Sequence, residues 1–261
     1  MKPPLTYYGG KQKLLKHILP LIPPHTLYCE PFFGGGAVFF AKEPSEIEVI
    51  NDINGNLVNF YSVIKRRFKA LKKEILTTLH SREQYEAARH VMAFPSLFTS
   101  VKQAWAVWTI ANEGYASRLD SSWGFDRKRN TSAKRLSRKR RHFIQDYSCR
   151  LEKAEIESVD AILVIESRDT KNSFFYCDPP YVNSHRGHFR GYTEEDFEKL
   201  LMLLGNIKGK FLLSSYPSAI LERYSVKHRW HTKVVDQRLD VSAKYQRRNR
   251  KAEILTANYP I

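Results

Sequence analysis

The 261-residue chain is predicted to be an α/β protein in which a helical, strongly basic segment separates two strand–helix halves. Three observations lead there. The composition, 42% hydrophobic and 13% aromatic, is rich enough to bury a sizeable core. Short apolar runs closed by Gly, Pro or acidic residues occur near both ends of the chain, as strands do in βα units. Between them, from about residue 65 to about 153, the text turns helical and basic. The expected organisation is one α/β domain in two pieces, 1–62 and 157–261, with 63–156 inserted as a second, helical and basic domain.

Residues 11–22 read as a short amphipathic helix, opening after Gly9-Gly10 and running into Pro20, Pro23 and Pro24. Residues 26–29 form a strand-like run, followed by Glu30-Pro31-Phe32-Phe33 and the three glycines Gly34, Gly35 and Gly36. The apolar stretch 37–41 starts a buried helix, and 48–50 is a second strand closed by Asn51-Asp52-Ile53-Asn54. Strand, glycine turn, helix, strand and acidic tip is the order of a nucleotide-binding βαβ unit. In the middle, Ser100 is placed as the cap of a helix whose Ala104, Trp105, Trp108 and Ala111 share one core-facing side. Toward the C-terminus, the strand at 173–177 runs into Asp178-Pro179-Pro180-Tyr181. Thr193-Glu194-Glu195-Asp196 has the form of a helix cap before a periodic helix at 197–204, and 210–215 and 253–259 are further strands. There is no internal repeat.

Charge narrows the choice of partners. The chain carries 43 Lys+Arg against 27 Asp+Glu, a net +16, which attracts polyanions and points first to nucleic acid. Residues 127–141 hold nine Lys/Arg and no acid: Arg127, Lys128, Arg129, Lys134, Arg135, Arg138, Lys139, Arg140 and Arg141 are the candidate phosphate contacts. The groups at 65–73 and 244–251 extend that surface. Cys29, Cys149 and Cys177 are too few and too scattered for a disulfide framework or a zinc pair, which suits a reducing compartment. The N-terminus lacks a signal-peptide core and no run of about 18 apolar residues occurs, so a cytoplasmic protein, monomeric in solution, is expected. His185 with His188, and His228 with His231, are three apart but lack a carboxylate or Cys cluster, so no metal site is expected.

The chemistry concentrates in two strings. An exocyclic adenine amine is a poor nucleophile because its lone pair is delocalised into the ring. Two acceptors set against its two N–H bonds draw the nitrogen toward tetrahedral geometry. The Asp178 carboxylate and the Pro179 carbonyl can be those acceptors, while Pro179 and Pro180 remove competing backbone donors and Tyr181 offers a ring for stacking. In the other string, Gly34 to Gly36 allow a tight turn and close ligand approach, and Asp52 at the next strand tip lies about 20 residues on, where an acid can accept ribose hydroxyls. A nicotinamide enzyme would use that second string equally well.

Taken together, these motifs resemble the Dam-type family of adenine-N6 DNA methyltransferases. The resemblance rests on Tyr7-Tyr8-Gly9-Gly10-Lys11, on 30–39, on 51–54, on Asp178-Pro179-Pro180-Tyr181 and on 250–259, in the family's order. It implies a Rossmann-like, seven-stranded methyltransferase sheet with an inserted, mostly helical recognition domain, and S-adenosyl-L-methionine as methyl donor. It implies that Tyr7, Lys11, Asp52 and Asp178 border the donor site with Phe32 and Gly34 in its floor. Asp178, Pro179 and Tyr181, with Pro180 completing the motif, would hold an adenine flipped out of double-stranded DNA. The setting it implies is a bacterial or phage-infected cell and restriction-modification. Tyr7 stands where the family often has Trp, which keeps an aromatic wall. The hairpin text of GATC-reading members is absent; Asn112-Glu113-Gly114 to Trp123-Gly124-Phe125 is the segment left to serve in its place. Three alternatives remain: transfer to cytosine N4 or an RNA or protein amide, against which the acidic first motif residue argues; a catalytically idle DNA-binding relative; and a nicotinamide oxidoreductase, which leaves Asp178-Pro179-Pro180-Tyr181 and the basic insert unexplained.

Overall fold

The computed structural model describes residues 1–7, 9–115, 119, 121–181, 192–238 and 250–261. Among them, seven strands make one mixed sheet: β1 (Leu27–Glu30), β2 (Ile47–Asn51), β3 (Glu155–Glu157), β4 (Ser173–Cys177), β5 (Lys210–Ser215), β6 (His231–Arg238) and β7 (Arg250–Ala257), in the order β3-β2-β1-β4-β5-β7-β6. Strands β2, β1, β4 and β5 run parallel to one another; β7 is antiparallel to β5 and to β6. A parallel strand is buried on both faces, so it reads as an unbroken apolar run, and every residue of β1 and β4 is buried.

The chain separates into two compact units. One comprises residues 1–12, 33–44 and 51–159; the other comprises 13–32, 45–50 and 160–261. The stretch expected as one helix at 11–22 is broken. A 3₁₀ turn at Lys11–Lys13, the single turn α1 (Leu15–Ile18) and another 3₁₀ turn at Leu19–Leu21 follow one another; Pro20 lacks the donor that α1 would need to continue past Ile18.

The first unit begins its helices with α2 (Ala37–Ala41), four of whose five residues are buried. Then comes a helical bundle: α3 (Gly55–Thr77), α4 (Arg82–Ala93), α5 (Ser100–Glu113), α6 (Thr131–Arg141) and α7 (Asp146–Leu151). Helix α5 is its axis. Every residue from Ala104 to Glu113 is buried, Trp105 and Trp108 among them, so these tryptophans are core rather than a stacking platform. Its cap is Thr99, whose hydroxyl accepts from the Lys102 amide, and not the expected Ser100. The second unit adds α8 (Ala161–Arg168), α9 (Glu194–Leu204) and α10 (Ala219–His228) around the sheet. Thr193 and Asp196 form the reciprocal cap of α9 that their spacing predicts. No described helix is long and apolar enough to cross a membrane.

Candidate active site

The glycine turn belongs to the first unit and is held from three sides. Gly34 and Gly36 have φ of 49° and 65°, the left-handed region in which a side chain is strained. At Gly36 a Cβ would also meet Phe33 Cζ at 2.5 Å, so only glycine fits. The Gly34 amide donates to Asp52 Oδ2 at 2.7 Å, and its carbonyl accepts from the buried Tyr61 hydroxyl at 2.9 Å. Asp52 Oδ1 accepts from the Asn54 amide at 2.8 Å. The expected ligand carboxylate is therefore also the clasp that joins the turn to the tip of β2. Burial raises its pKa, and the two amide bonds oppose that shift. Each oxygen keeps a lone pair after those bonds, so Asp52 can still accept a hydroxyl.

Tyr7 packs over the same turn. A Cβ on Gly34 would lie 3.3 Å from its ring, and one on Gly35 would lie 2.9 Å from its Cβ. Burial, followed by the charge of Asp52, holds its phenol well above the ordinary value, so it stays neutral. Lys11 is buried, and its ammonium donates to the Gly9 carbonyl at 3.1 Å. Tyr7, Lys11, Gly34 and Asp52 are thus all in this unit. Phe32 lies in the other, in edge contact with Tyr192 at 6.3 Å between centroids.

Asp178-Pro179-Pro180-Tyr181 leaves the C-terminal end of β4, where ligands meet an open parallel sheet. Cys177 and Tyr176, just before it, are fully buried; burial first, then the Asp178 charge, keeps thiol and phenol protonated. Neither is a nucleophile. The Tyr181 hydroxyl donates to Glu253 Oε1 on β7, and the Ser214 hydroxyl donates to the same oxygen at 2.5 Å. The Tyr181 ring sits 4.0 Å from that of Tyr216, with planes inclined at 41°. Both Tyr181 interactions are thus made before any ligand arrives, and its ring is fixed from edge and face.

A cavity of ≈ 160 Å³ opens beside this motif, lined by Pro179, Pro180, Tyr181, Ser215 and Tyr216, with Phe197 and Ile220 behind. Clefts for drug-sized ligands hold about 300–1,000 Å³, so this one suits a single heterocycle. Glu253, Ser214, Ser215 and Tyr216 escaped the sequence reading. One signal was present: Tyr216-Pro217 follows β5 as Asp178-Pro179-Pro180-Tyr181 follows β4, and adjacent parallel strands end side by side.

The basic segment divides. Arg127, Lys128, Arg129, Lys134, Arg135, Arg138 and Arg141 are exposed. Arg140 instead turns inward and donates to the Thr78 carbonyl at 2.6 Å and the Leu76 carbonyl at 3.5 Å, closing the C-terminus of α3. Lys139 is half-buried; burial, then Arg135 and Arg138, lower its pKa to about 8. The segment proposed to replace the missing hairpin does pair: Gly114 bridges Trp123, the Tyr115 amide donates to the Ser122 carbonyl at 2.9 Å, and Gly124 N–H donates to the Glu113 carbonyl at 2.8 Å. His185, His188 and most of 244–251 lie outside the described residues. His228 is engaged in stacking, 5.3 Å from Trp230.

A mixed seven-stranded sheet, a glycine turn clasped by a buried acid, and a carboxylate–proline strand exit beside a small cavity fit the class of α/β enzymes that bind nucleoside-type ligands. Comparison with known proteins makes the class specific. The family model for D12 class N6 adenine-specific DNA methyltransferases matches residues 7–233, and the chain belongs to that family. It is similar to the Type II methyltransferase M1.LlaDCHI of Lactococcus lactis subsp. cremoris, 28% identical over 282 residues that cover 99% of this chain and 96% of that protein. It is 26% identical to the Type II methyltransferase M.FokI of Planomicrobium okeanokoites, over 99% of this chain and 43% of that protein. The DNA adenine methylase of Escherichia coli (strain K12) is 36% identical over 63 residues, 24% of this chain and 22% of that protein. The protein is an S-adenosylmethionine-dependent enzyme that methylates adenine N6 in DNA, which resolves the alternatives of cytosine N4, nicotinamide chemistry and an idle relative.

Proposed function

We propose that Asp178, Pro179 and Tyr181 hold the target adenine, and that Tyr7, Lys11, Phe32, Gly34 and Asp52 serve S-adenosylmethionine. The observation that carries this is the ≈ 160 Å³ cavity at the ends of β4 and β5, whose wall includes Pro179, Pro180 and Tyr181. The donor supplies a methyl group activated by a positively charged sulfur. The glycine turn fits such a group, since Asp52, which clasps it, retains acceptor capacity for hydroxyls.

The protein's part is to prepare the acceptor. The Asp178 carboxylate and Pro179 carbonyl take the two amine hydrogens and localise the nitrogen lone pair, and Asp178 would receive the proton the amine releases as the N–C bond forms and the donor's C–S bond breaks. Tyr181, immobilised by Glu253 and Tyr216, gives the base a stacking face. The adenine reaches the cavity by leaving a double-stranded helix, a cost of a few kcal/mol offset by stacking and phosphate contacts. Arg127, Lys128, Arg129, Lys134, Arg135, Arg138 and Arg141 supply those contacts from the 63–156 domain, with Lys139 beside them and Arg140 excluded by its structural bonds. The two relatives named as Type II methyltransferases favour a restriction-modification role; the rest of this reading is a cytoplasmic monomer acting at a defined DNA sequence.

The test compares wild type with Asp178→Ala on unmethylated genomic DNA, with modified nucleosides identified by mass spectrometry. N6-methyladenine is expected from the wild type, and a rate slower by about 10²- to 10³-fold from the variant, on the scale of losing a key electrostatic group. DNA affinity should be unchanged, because Asp178 neutralises no phosphate. Retained turnover would remove Asp178 from the reaction.

A further inference from the structure

The cavity beside Tyr181 contains a polar group that the reaction as derived does not use. Ser215 is 3% exposed, and its hydroxyl has no hydrogen-bond partner among the described residues. Its serine neighbours are committed. Ser214 donates to Glu253 at 2.5 Å, and Ser218, also on the cavity wall, accepts from the Leu221 amide at 3.3 Å to cap α10. Ser215 is therefore the uncommitted serine among the described residues of that wall. A buried hydroxyl without a partner costs about 1–3 kcal/mol, a cost native folds tolerate chiefly where something else completes the bond.

We propose that Ser215 reads the target base, donating its hydroxyl hydrogen to a ring nitrogen that flanks the exocyclic amine. This role rests on the acceptor reading of Asp178 and Pro179. Once these two take both amine hydrogens, the edge of adenine beside the amine offers only acceptors, N1 on one side and N7 on the other. A hydroxyl is the matching partner, since it can donate, and serine at the end of β5 stands on the same wall as Pro179 and Tyr181. The bond also adds discrimination. A base presenting N–H at that position would confront the hydroxyl as a donor and could be met only if the hydroxyl turned to accept, leaving its own hydrogen buried without a partner.

The experiment measures single-turnover methylation by wild type and Ser215→Ala on one double-stranded DNA prepared with adenine, with 7-deazaadenine or with 1-deazaadenine, alongside the thermal midpoint of each protein. On adenine DNA the variant should lose about 3- to 10-fold in rate, the worth of one neutral hydrogen bond. That deficit should vanish on the analogue lacking the nitrogen that Ser215 meets, since neither protein can make the bond there. The midpoint should stay level or rise, because no bond of the free protein is removed. Wild-type rates from Ser215→Ala would overturn the proposal, as would a deficit that persists on both analogues. A clear fall in the midpoint would equally overturn it, by showing that the hydroxyl is already bonded within the fold. Asp178→Ala is run in parallel: turnover by that variant sinks the acceptor reading itself, whatever Ser215→Ala does.

Discussion

Glu113 shows how one buried group acts on the protein around it. It closes α5 with 1% exposure, and its Oε2 accepts from Trp123 Nε1 at 3.2 Å across the Gly114–Trp123 bridge. Burial raises its pKa from 4.5 to about 7, against the opposing bonds from Trp123 and the Ser81 amide and the charge of Arg140. The folded state consequently holds a proton that the unfolded chain has released. Stability contributed by this group is fully present below pH 4.5 and is lost as pH rises from there through about 7. Glu113→Gln should remove that decline, so its stability curve, measured by urea unfolding at a series of pH values, will run flatter than wild type across the window. Parallel curves would place the titration elsewhere. Nothing in the sequence marks Glu113, because burial depends on what packs against α5. The Asp178 string was legible at this scale, since its chemistry lies in adjacent residues. Glu253 was not: it meets Tyr181 only because β7 returns beside β5.

At the scale of one element, α6 divides its charges by direction. Leu136 anchors it and Arg140 caps α3, while Lys134, Arg138 and Arg141 face water. Arg140→Ala should lower thermal stability, by about 1–2 kcal/mol for the missing charge-assisted bonds to carbonyls, with little change in the salt dependence of DNA binding. Changing Lys134, Arg138 and Arg141 together to Gln should do the reverse, reducing the slope of log K against log salt by about 0.9 for each phosphate no longer neutralised. Fluorescence titration and thermal melts on both proteins separate these effects; equal behaviour would deny the division. The run of nine cations was visible in the text, but which one turns inward was not, since helical phase alone does not say where α3 ends. Strand β6 escaped for a related reason. It is an edge strand, and His231 to Val234 are exposed, so its alternation is too polar to stand out.

The whole molecule carries +16, and seven exposed cations sit on one basic segment. If all seven meet phosphates, the wild-type slope of log K against log salt on double-stranded DNA should approach about −6. A slope near zero would mean that the affinity does not come from charge. At this scale the alternation of strands with helices, the glycine turn and the Asp-Pro-Pro-Tyr exit are local patterns of period, backbone freedom and adjacent chemistry, and they suffice to predict the α/β sheet and an amine acceptor, while the donor followed only from the resemblance of the motifs, taken in order, to a known family. Long-range assembly decided the rest. That Asp52 clasps Gly34, that Glu253 holds Tyr181, that Arg140 is a cap and that Ser215 lacks a partner among the described residues all depend on side chains distant in sequence meeting once the backbone has closed. Burial and hydrogen-bond satisfaction are properties of the packed interior, and no stretch of text carries them before the chain folds.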